Sequence, residues 1–347
     1  MGIKTGLCSY GMSGRIFHAP FIESHPGFEL SAIVERTKDE SKARYPNTRI
    51  LRSIDDLLKD DSIELIVVNT PIQTHFEFVS AALKAGKNVV VEKPFTVDAK
   101  EAQALDDLAK EKGLLLSVYQ NRRYDGDYYS IRDVVNQGLL GEIVEVEMRF
   151  DRYRLHFSGK THKEGSLRGA GVLHDLGAHL IDQALQLFGW PEQVFGDIRI
   201  LRGGEVGAND YFEVLLYYPR LRARIKSTVV ARESDHAYVL HGLKGSFLQS
   251  RSDMQETKLD KGAVPTIEPW YPAPTQPDGI LHTEINGEVV RKETTSGAGN
   301  YMGYYDDVYK CLKEGKPNPV PASDAVKTMK IIDAALESAA KGRLVAV

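Results

Sequence analysis

Apolar and polar positions change rhythm once along this chain, near residue 121. Before it, short apolar runs alternate with helix-spaced stretches. Strands are predicted at 3–9, 28–35, 63–69, 88–92 and 114–119, with helices beginning near 14 and over 53–59, 74–85 and 98–112. The runs Leu65-Ile66-Val67-Val68 and Val89-Val90-Val91 are apolar on both faces, as strands of a helix-covered parallel sheet must be. Strands separated by helices of this length imply right-handed βαβ units, and Gly86 is placed to stop the helix before it.

After residue 121 a helix at 126–137 leads into a strand at 143–153, and another helix is predicted between 171 and 188. Period-two alternation then predicts strands at 193–201, 211–218, 223–231 and 237–240. Asn286-Gly287 between alternating segments predicts a hairpin, and helices at 301–313 and 322–341 close the chain. The proline-rich stretch 265–277 cannot be a central strand and reads as a lid or an oligomer contact. The expected fold class is α/β: a doubly wound parallel domain over 1–121, then an α+β domain over 122–347 with a large, mostly antiparallel open sheet. The C-terminal helix is free to pack back on the first domain.

Composition narrows the function. The 347 residues suffice for two cored domains, and 27% charged residues with a net charge of −4 exclude both disorder and a strongly basic nucleic-acid surface. The two cysteines, Cys8 and Cys311, have no metal spacing around them, which argues for a reducing compartment and against a disulfide framework or metal site. No apolar run reaches about 18 residues and no h-region follows Met1, so a soluble cytoplasmic protein with no membrane partner is expected.

Candidate chemistry sits at the strand ends. Ser9-Tyr10-Gly11-Met12-Ser13-Gly14 follows the first strand and opens a helix, fitting a dinucleotide fingerprint with serine at its first glycine. Glu35 ends the second strand, where a carboxylate accepts from the adenosine ribose and favours NAD; Arg36 and Lys38 follow at once and allow NADP. The cofactor is therefore NAD or NADP. Asn69-Thr70-Pro71 and His75 would lie along its nicotinamide half, though His75 also suits a plain helix start. Glu92-Lys93-Pro94 ends the valine strand, and ligands of open parallel sheets lie beyond such ends. Lys93 is a candidate catalytic ammonium; a solvated charge is the bland alternative.

In the second half Asp175 and His179 stand i, i+4 on one predicted helix face. A histidine there can take a hydroxyl proton, with the carboxylate orienting it or touching a second hydroxyl; a helix charge pair is the alternative. Gln120, Asn121 and Arg122 end the first domain, and Tyr153 lies between Arg152 and Arg154, groups suited to a polyhydroxylated or anionic substrate or to ion pairing.

Together, Glu92-Lys93-Pro94, Asn69-Thr70-Pro71 with His75, and Gly171…Asp175…His179 resemble the glucose–fructose oxidoreductase/inositol dehydrogenase (Gfo/Idh/MocA) family over nearly the whole chain. Phe17-His18-Ala19-Pro20 and Tyr119-Gln120-Asn121-Arg122-Arg123 look like its branch containing NADP-dependent scyllo-inositol dehydrogenases. The resemblance implies a Rossmann domain followed by an α/β domain whose open sheet makes a homodimer or homotetramer. It implies that Lys93 hydrogen-bonds the reacting hydroxyl, often beside a cis Lys93–Pro94 bond, and that Asp175 binds substrate while His179 is the acid/base. It also places Glu92 with Lys93 at the cofactor. Ser9 and Glu35 depart from the family pattern. The expected activity is hydride transfer between nicotinamide and a sugar or cyclic polyol. The rivals are a glycosidase-type enzyme using tightly bound NAD by transient oxidation and a non-catalytic dinucleotide sensor.

Overall fold

Leu65–Val68 and Val89–Val91 are completely removed from solvent, as the central strands of a sheet covered on both faces should be. The computed structural model describes residues 2–203, 207–268 and 270–347. They form two units, one of residues 1–121, 254–271 and 300–326, the other of residues 122–253, 272–299 and 327–347.

The first unit holds β1 (Ile3–Leu7), β2 (Phe28–Val34), β3 (Arg49–Leu51), β4 (Leu65–Val68), β5 (Asn88–Val91) and β6 (Leu116–Val118), in the order β3-β2-β1-β4-β5-β6. Every pairing is parallel, and the order reverses between β1 and β4. That switch point opens a crevice at the strands' carboxyl ends. Helix His75–Lys84 stops two residues before Gly86, which adopts φ 75°, and Asp98 caps helix Ala99–Lys112 by accepting from the Glu101 amide at 2.8 Å. β3 lies outside the predicted strands, because three residues carry no readable alternation.

A single boundary at residue 121 does not contain the later returns of the chain to this unit. Helix Tyr301–Glu314 buries Tyr301, Tyr304 and Tyr305 completely. Residues 318–321 cover the free edge of β6: the Val118 amide donates to the Val320 carbonyl at 3.0 Å, and Asn318 donates to Leu116 at 2.9 Å. The stretch expected to be a lid or oligomer contact divides at Tyr271 between the two units, and Trp270 meets Phe21 edge-on at 6.3 Å. Its Pro269 lies outside the described residues.

The second unit holds β7 (Ile143–Arg149), β8 (Gln193–Arg199), β9 (Tyr211–Tyr217), β10 (Arg222–Thr228), β11 (Tyr238–Gly242), β12 (Gly245–Gln249), β13 (Gly279–Ile285), β14 (Glu288–Thr294) and β15 (Val345–Ala346). Their order is β14-β13-β12-β11-β7-β10-β9-β8-β15, antiparallel apart from the β7–β10 pair. Asn286 and Gly287 take φ 53° and 83°, the positive pair of a type I′ hairpin. β7 stops four residues short of the predicted Tyr153, which forms only an isolated bridge to Val230. β12, β15 and the helices Thr161–Glu164 and Gln255–Asp260 were absent from the sequence prediction, each being too short to show a period. Among the described residues no helix is long and apolar enough to cross a membrane.

Candidate active site

The glycine turn sits at the switch point and is held by side chains. The Ser9 hydroxyl accepts from the Gly11 amide at 3.1 Å, so serine closes the turn that a glycine would otherwise make, without a positive φ. Asn69, at the end of β4, donates to the Ser9 carbonyl at 2.8 Å and so ties the two switch-point strands together. Its Oδ1 is buried with no protein partner among the described residues. A β-carbon on Gly14 would lie 2.4 Å from the Ser9 carbonyl oxygen, whereas one on Gly11 would meet nothing closer than the Ser9 hydroxyl at 3.3 Å. The turn thus fits a dinucleotide: a bare approach at Gly11, close packing at Gly14, and an acceptor on Asn69. Met12 is exposed, Tyr10 and Ser13 are half-buried, and the Ser13 hydroxyl donates to the Asn69 carbonyl at 3.5 Å. We expect Gly11→Ala to weaken cofactor binding at least about tenfold with an unchanged melting temperature. Gly14→Ala should lower stability by about 1–3 kcal/mol as well. Calorimetry and cofactor titration of both variants check the pair.

Glu35 turns toward its own loop. It is buried, and its carboxylate accepts from the Glu40 amide at 2.9 Å, the Ser41 amide at 3.0 Å and the Ser41 hydroxyl. It supports the 3-10 turn Glu40–Ala43, so the carboxylate expected to accept from the ribose is also engaged with its own loop. Arg36 beside it is exposed. His75 is likewise turned inward. Its Nε2 faces the Thr70 carbonyl at 2.8 Å and its Nδ1 the Pro94 and Phe95 carbonyls at 3.0 and 3.1 Å, leaving no ring nitrogen for a cofactor. It packs between the end of β4 and the turn after Lys93, donating from the one nitrogen that carries its proton. Burial lowers its pKa, against its backbone hydrogen bonds and the Glu92 charge. Thr70 accepts from the Thr74 hydroxyl at 2.7 Å, and Pro71 is exposed.

Lys93 follows β5 directly, half-buried, and the Lys93–Pro94 peptide is cis. Its amide donates to Glu92 Oε2 at 3.0 Å, while Glu92 Oε1 faces His18 Nε2 at 2.9 Å. Both Glu92 oxygens are therefore engaged within the protein. Burial alone would raise the Glu92 carboxyl, but the His18 hydrogen bond and the nearby Lys93 charge hold it below the usual carboxylate range.

In the second unit the predicted continuous α-helix begins as a π-turn, Leu173–Gly177, and becomes α-helical over Ala178–Phe188. Such turns recur at functional sites. Gly177 admits the extra residue: a β-carbon there would stand 3.2 Å from the Phe212 ring. Gly171 has φ 103°, and Asn209 Oδ1 accepts from the Leu173 amide at 2.9 Å. Asp175 lies in the π-turn, half-buried, and accepts from Lys163 at 3.0 Å; His179 is buried in the first α-turn. Lys163 and Asn209 escaped the sequence reading, because nothing in the spacing of residues 12 and 34 positions away from Asp175 points to it.

Gln120 and Asn121 are buried at the end of the first unit. Arg122, an expected substrate contact, is buried, with Nη1 3.2 Å from Asp125 and its guanidinium 5.0 Å over the Phe150 ring. Tyr153, another expected contact, is exposed and accepts from Arg232 at 2.6 Å, with that guanidinium 4.1 Å over its ring. Burial pushes the Cys8 thiol up to about 12, making it unreactive. Among the described residues no group of three or more His, Cys, Asp or Glu could hold a metal ion.

A Rossmann unit followed by a mostly antiparallel sheet unit is the architecture of a dinucleotide-binding enzyme. Residues 3–120 match the oxidoreductase family's NAD-binding Rossmann fold and residues 132–347 its C-terminal alpha/beta domain; the chain belongs to the Gfo/Idh/MocA family of dehydrogenase-type enzymes. It is 39% identical to the uncharacterized oxidoreductase YdgJ of Escherichia coli over 97% of this chain and 96% of that protein. It is 34% identical to the scyllo-inositol 2-dehydrogenase (NADP(+)) IolW of Bacillus subtilis, covering 99% and 95%. A crystal structure from Bacteroides fragilis superposes with a TM-score of 0.90 at 45% identity, both chains covered in full.

Proposed function

We propose that this enzyme oxidises a carbinol of a sugar or cyclic polyol, with NADP as the preferred acceptor. The observation that carries the reading is Lys93, fixed by its amide to Glu92 beyond the carboxyl end of β5. The nicotinamide ring, when bound, accepts the hydride. His179 takes the hydroxyl proton, and the Lys93 ammonium donates to the same oxygen, favouring charge as it develops. Asp175, oriented by Lys163, accepts from a second hydroxyl, which suits a polyol. The relative named as a scyllo-inositol dehydrogenase supports the substrate class. A panel of inositols and sugars assayed with both cofactors by nicotinamide absorbance tests it. Turnover is expected with at least one cyclic polyol, and none with any sugar or polyol would remove the proposal.

Preference for NADP is supported by the exposed Arg36, whose guanidinium can pair with a 2′-phosphate, and by a Glu35 carboxylate that is already hydrogen-bonded to its own loop. Arg36→Ala should reduce the NADP/NAD ratio of kcat/KM about tenfold or more. Glu35→Gln should leave that ratio within about twofold while lowering the melting temperature, because the capping charge is lost. Parallel steady-state kinetics on both cofactors check the two variants.

The partner we propose is a second copy of this chain, docked on the open face of the nine-stranded sheet. That face carries paired charges, Arg224 reaching Glu213 at 2.9 Å and Glu147 at 3.5 Å, among half-buried Leu215, Val239 and Leu248.

A further inference from the structure

The run Phe17-His18-Ala19-Pro20 has no part in the proton and hydride steps, yet His18 is completely buried and both of its ring nitrogens are occupied. It ends the π-turn Gly14–His18 that follows the glycine turn. Nδ1 lies 2.5 Å from the Tyr305 hydroxyl, and Nε2 lies 2.9 Å from Glu92 Oε1. Glu92 Oε2 in turn accepts the Lys93 amide at 3.0 Å. Four groups from three separate stretches of the sequence, one of them 287 residues from His18, thus form a single buried file that ends at Lys93.

We propose that His18 and Tyr305 are positioning residues: they hold Glu92 ionised and oriented so that its carboxylate fixes the backbone of Lys93. The inference rests on the catalytic reading of Lys93. The polarity of the file is internally consistent. The Tyr305 hydroxyl donates to Nδ1, which leaves the proton on Nε2 to be donated to the carboxylate. Burial, with the Tyr119 and Tyr304 phenols and the Glu92 charge, pushes the Tyr305 phenol well above its ordinary range, so it remains a donor. Three groups carrying or able to carry positive charge face Glu92: His18, His75 and Lys93. His75 is committed to carbonyls and Lys93 is needed by the reaction, so His18 is the partner dedicated to the carboxylate. A buried carboxylate without that donor would be driven toward its neutral form, since burial is the largest influence on it and acts upward. A protonated Glu92 would hold the Lys93 amide only weakly, and the lysine backbone would lose its anchor.

The Lys93 amide proton, donated to Glu92, is a direct reporter of that carboxyl. The test is a pH titration of the amide signal in the full-length chain labelled with 15N-lysine, the signal being assigned by its loss in Lys93→Arg. In the wild type the midpoint should fall below the usual carboxylate range. In His18→Ala it should rise by about one pH unit or more, and in His18→Gln, whose amide can still donate, it should return toward the wild-type value. If His18→Ala does not fold, Tyr305→Phe decides, because it keeps the ring and its packing; the midpoint should rise by about half a unit. Turnover of scyllo-inositol with NADP is read alongside. His18→Ala should lower kcat about tenfold with little change in KM. An unmoved Lys93 titration in His18→Ala or Tyr305→Phe, or no recovery in His18→Gln, would overturn the positioning role. An active Lys93→Ala enzyme would instead overturn the catalytic reading, leaving the titration result intact.

Discussion

Replacing Lys93 by alanine is expected to lower kcat about 10²–10³-fold, the loss seen when one preorganised donor to a developing oxyanion is removed. The backbone around Lys93 is fixed independently of its side chain: its amide is held by Glu92, and the carbonyls of Pro94 and Phe95 are held by His75. Lys93 is half-buried and lies past the end of β5, so melting temperature and cofactor affinity should stay close to the wild type. Lys93→Arg should recover little, because a planar guanidinium does not reproduce a compact ammonium at one oxygen. Steady-state kinetics with a cofactor titration and a melting curve separate these effects. Turnover at the wild-type level in the alanine variant would sink the assignment.

His179→Ala should lower kcat/KM by about 10²–10⁴-fold, the contribution of a positioned general base. A proton acceptor must be neutral to act, so the wild-type rate should fall as the pH drops and the imidazole becomes charged. In the variant that limb should disappear and the residual rate should climb with hydroxide, because solvent takes over the proton. The ring is buried at the start of helix Ala178–Phe188, so some loss of stability is expected from the cavity. The pH dependence is therefore the decisive measurement: a variant that kept the acid limb would show that His179 only packs. His179→Gln, closer in size and without a titrating nitrogen, supplies the control for packing.

Much of this architecture could be read from local pattern. Val89-Val90-Val91 announces a two-sided buried strand, and Asn286-Gly287 announces the hairpin between β13 and β14. What escaped depends on contacts between distant residues. Glu35 looks like a ribose acceptor by position, but a 3-10 turn starting five residues on presents two amides and a hydroxyl to its carboxylate. His75 looks like a cofactor contact until the turn after Lys93 brings two carbonyls against its ring. Arg122 has no local sign of its partner Phe150, and Lys163 none of Asp175. Sequence spacing locates groups on one element; it does not show which buried polar atoms will compete for them.

The covering of β6 by residues 318–321, and the docking of Tyr305 on His18, bear on how the chain is made. A ribosome releases the first 121 residues long before the strap that finishes them. Until that strap emerges, the nascent parallel sheet presents a raw edge at β6 and leaves His18 without its phenol. Completion of the dinucleotide unit is accordingly a late event, governed by chain release rather than by the order of its strands. A fragment cut at residue 121 should be insoluble unless residues 300–326 are supplied, whether as a separate peptide or by fusion across a linker.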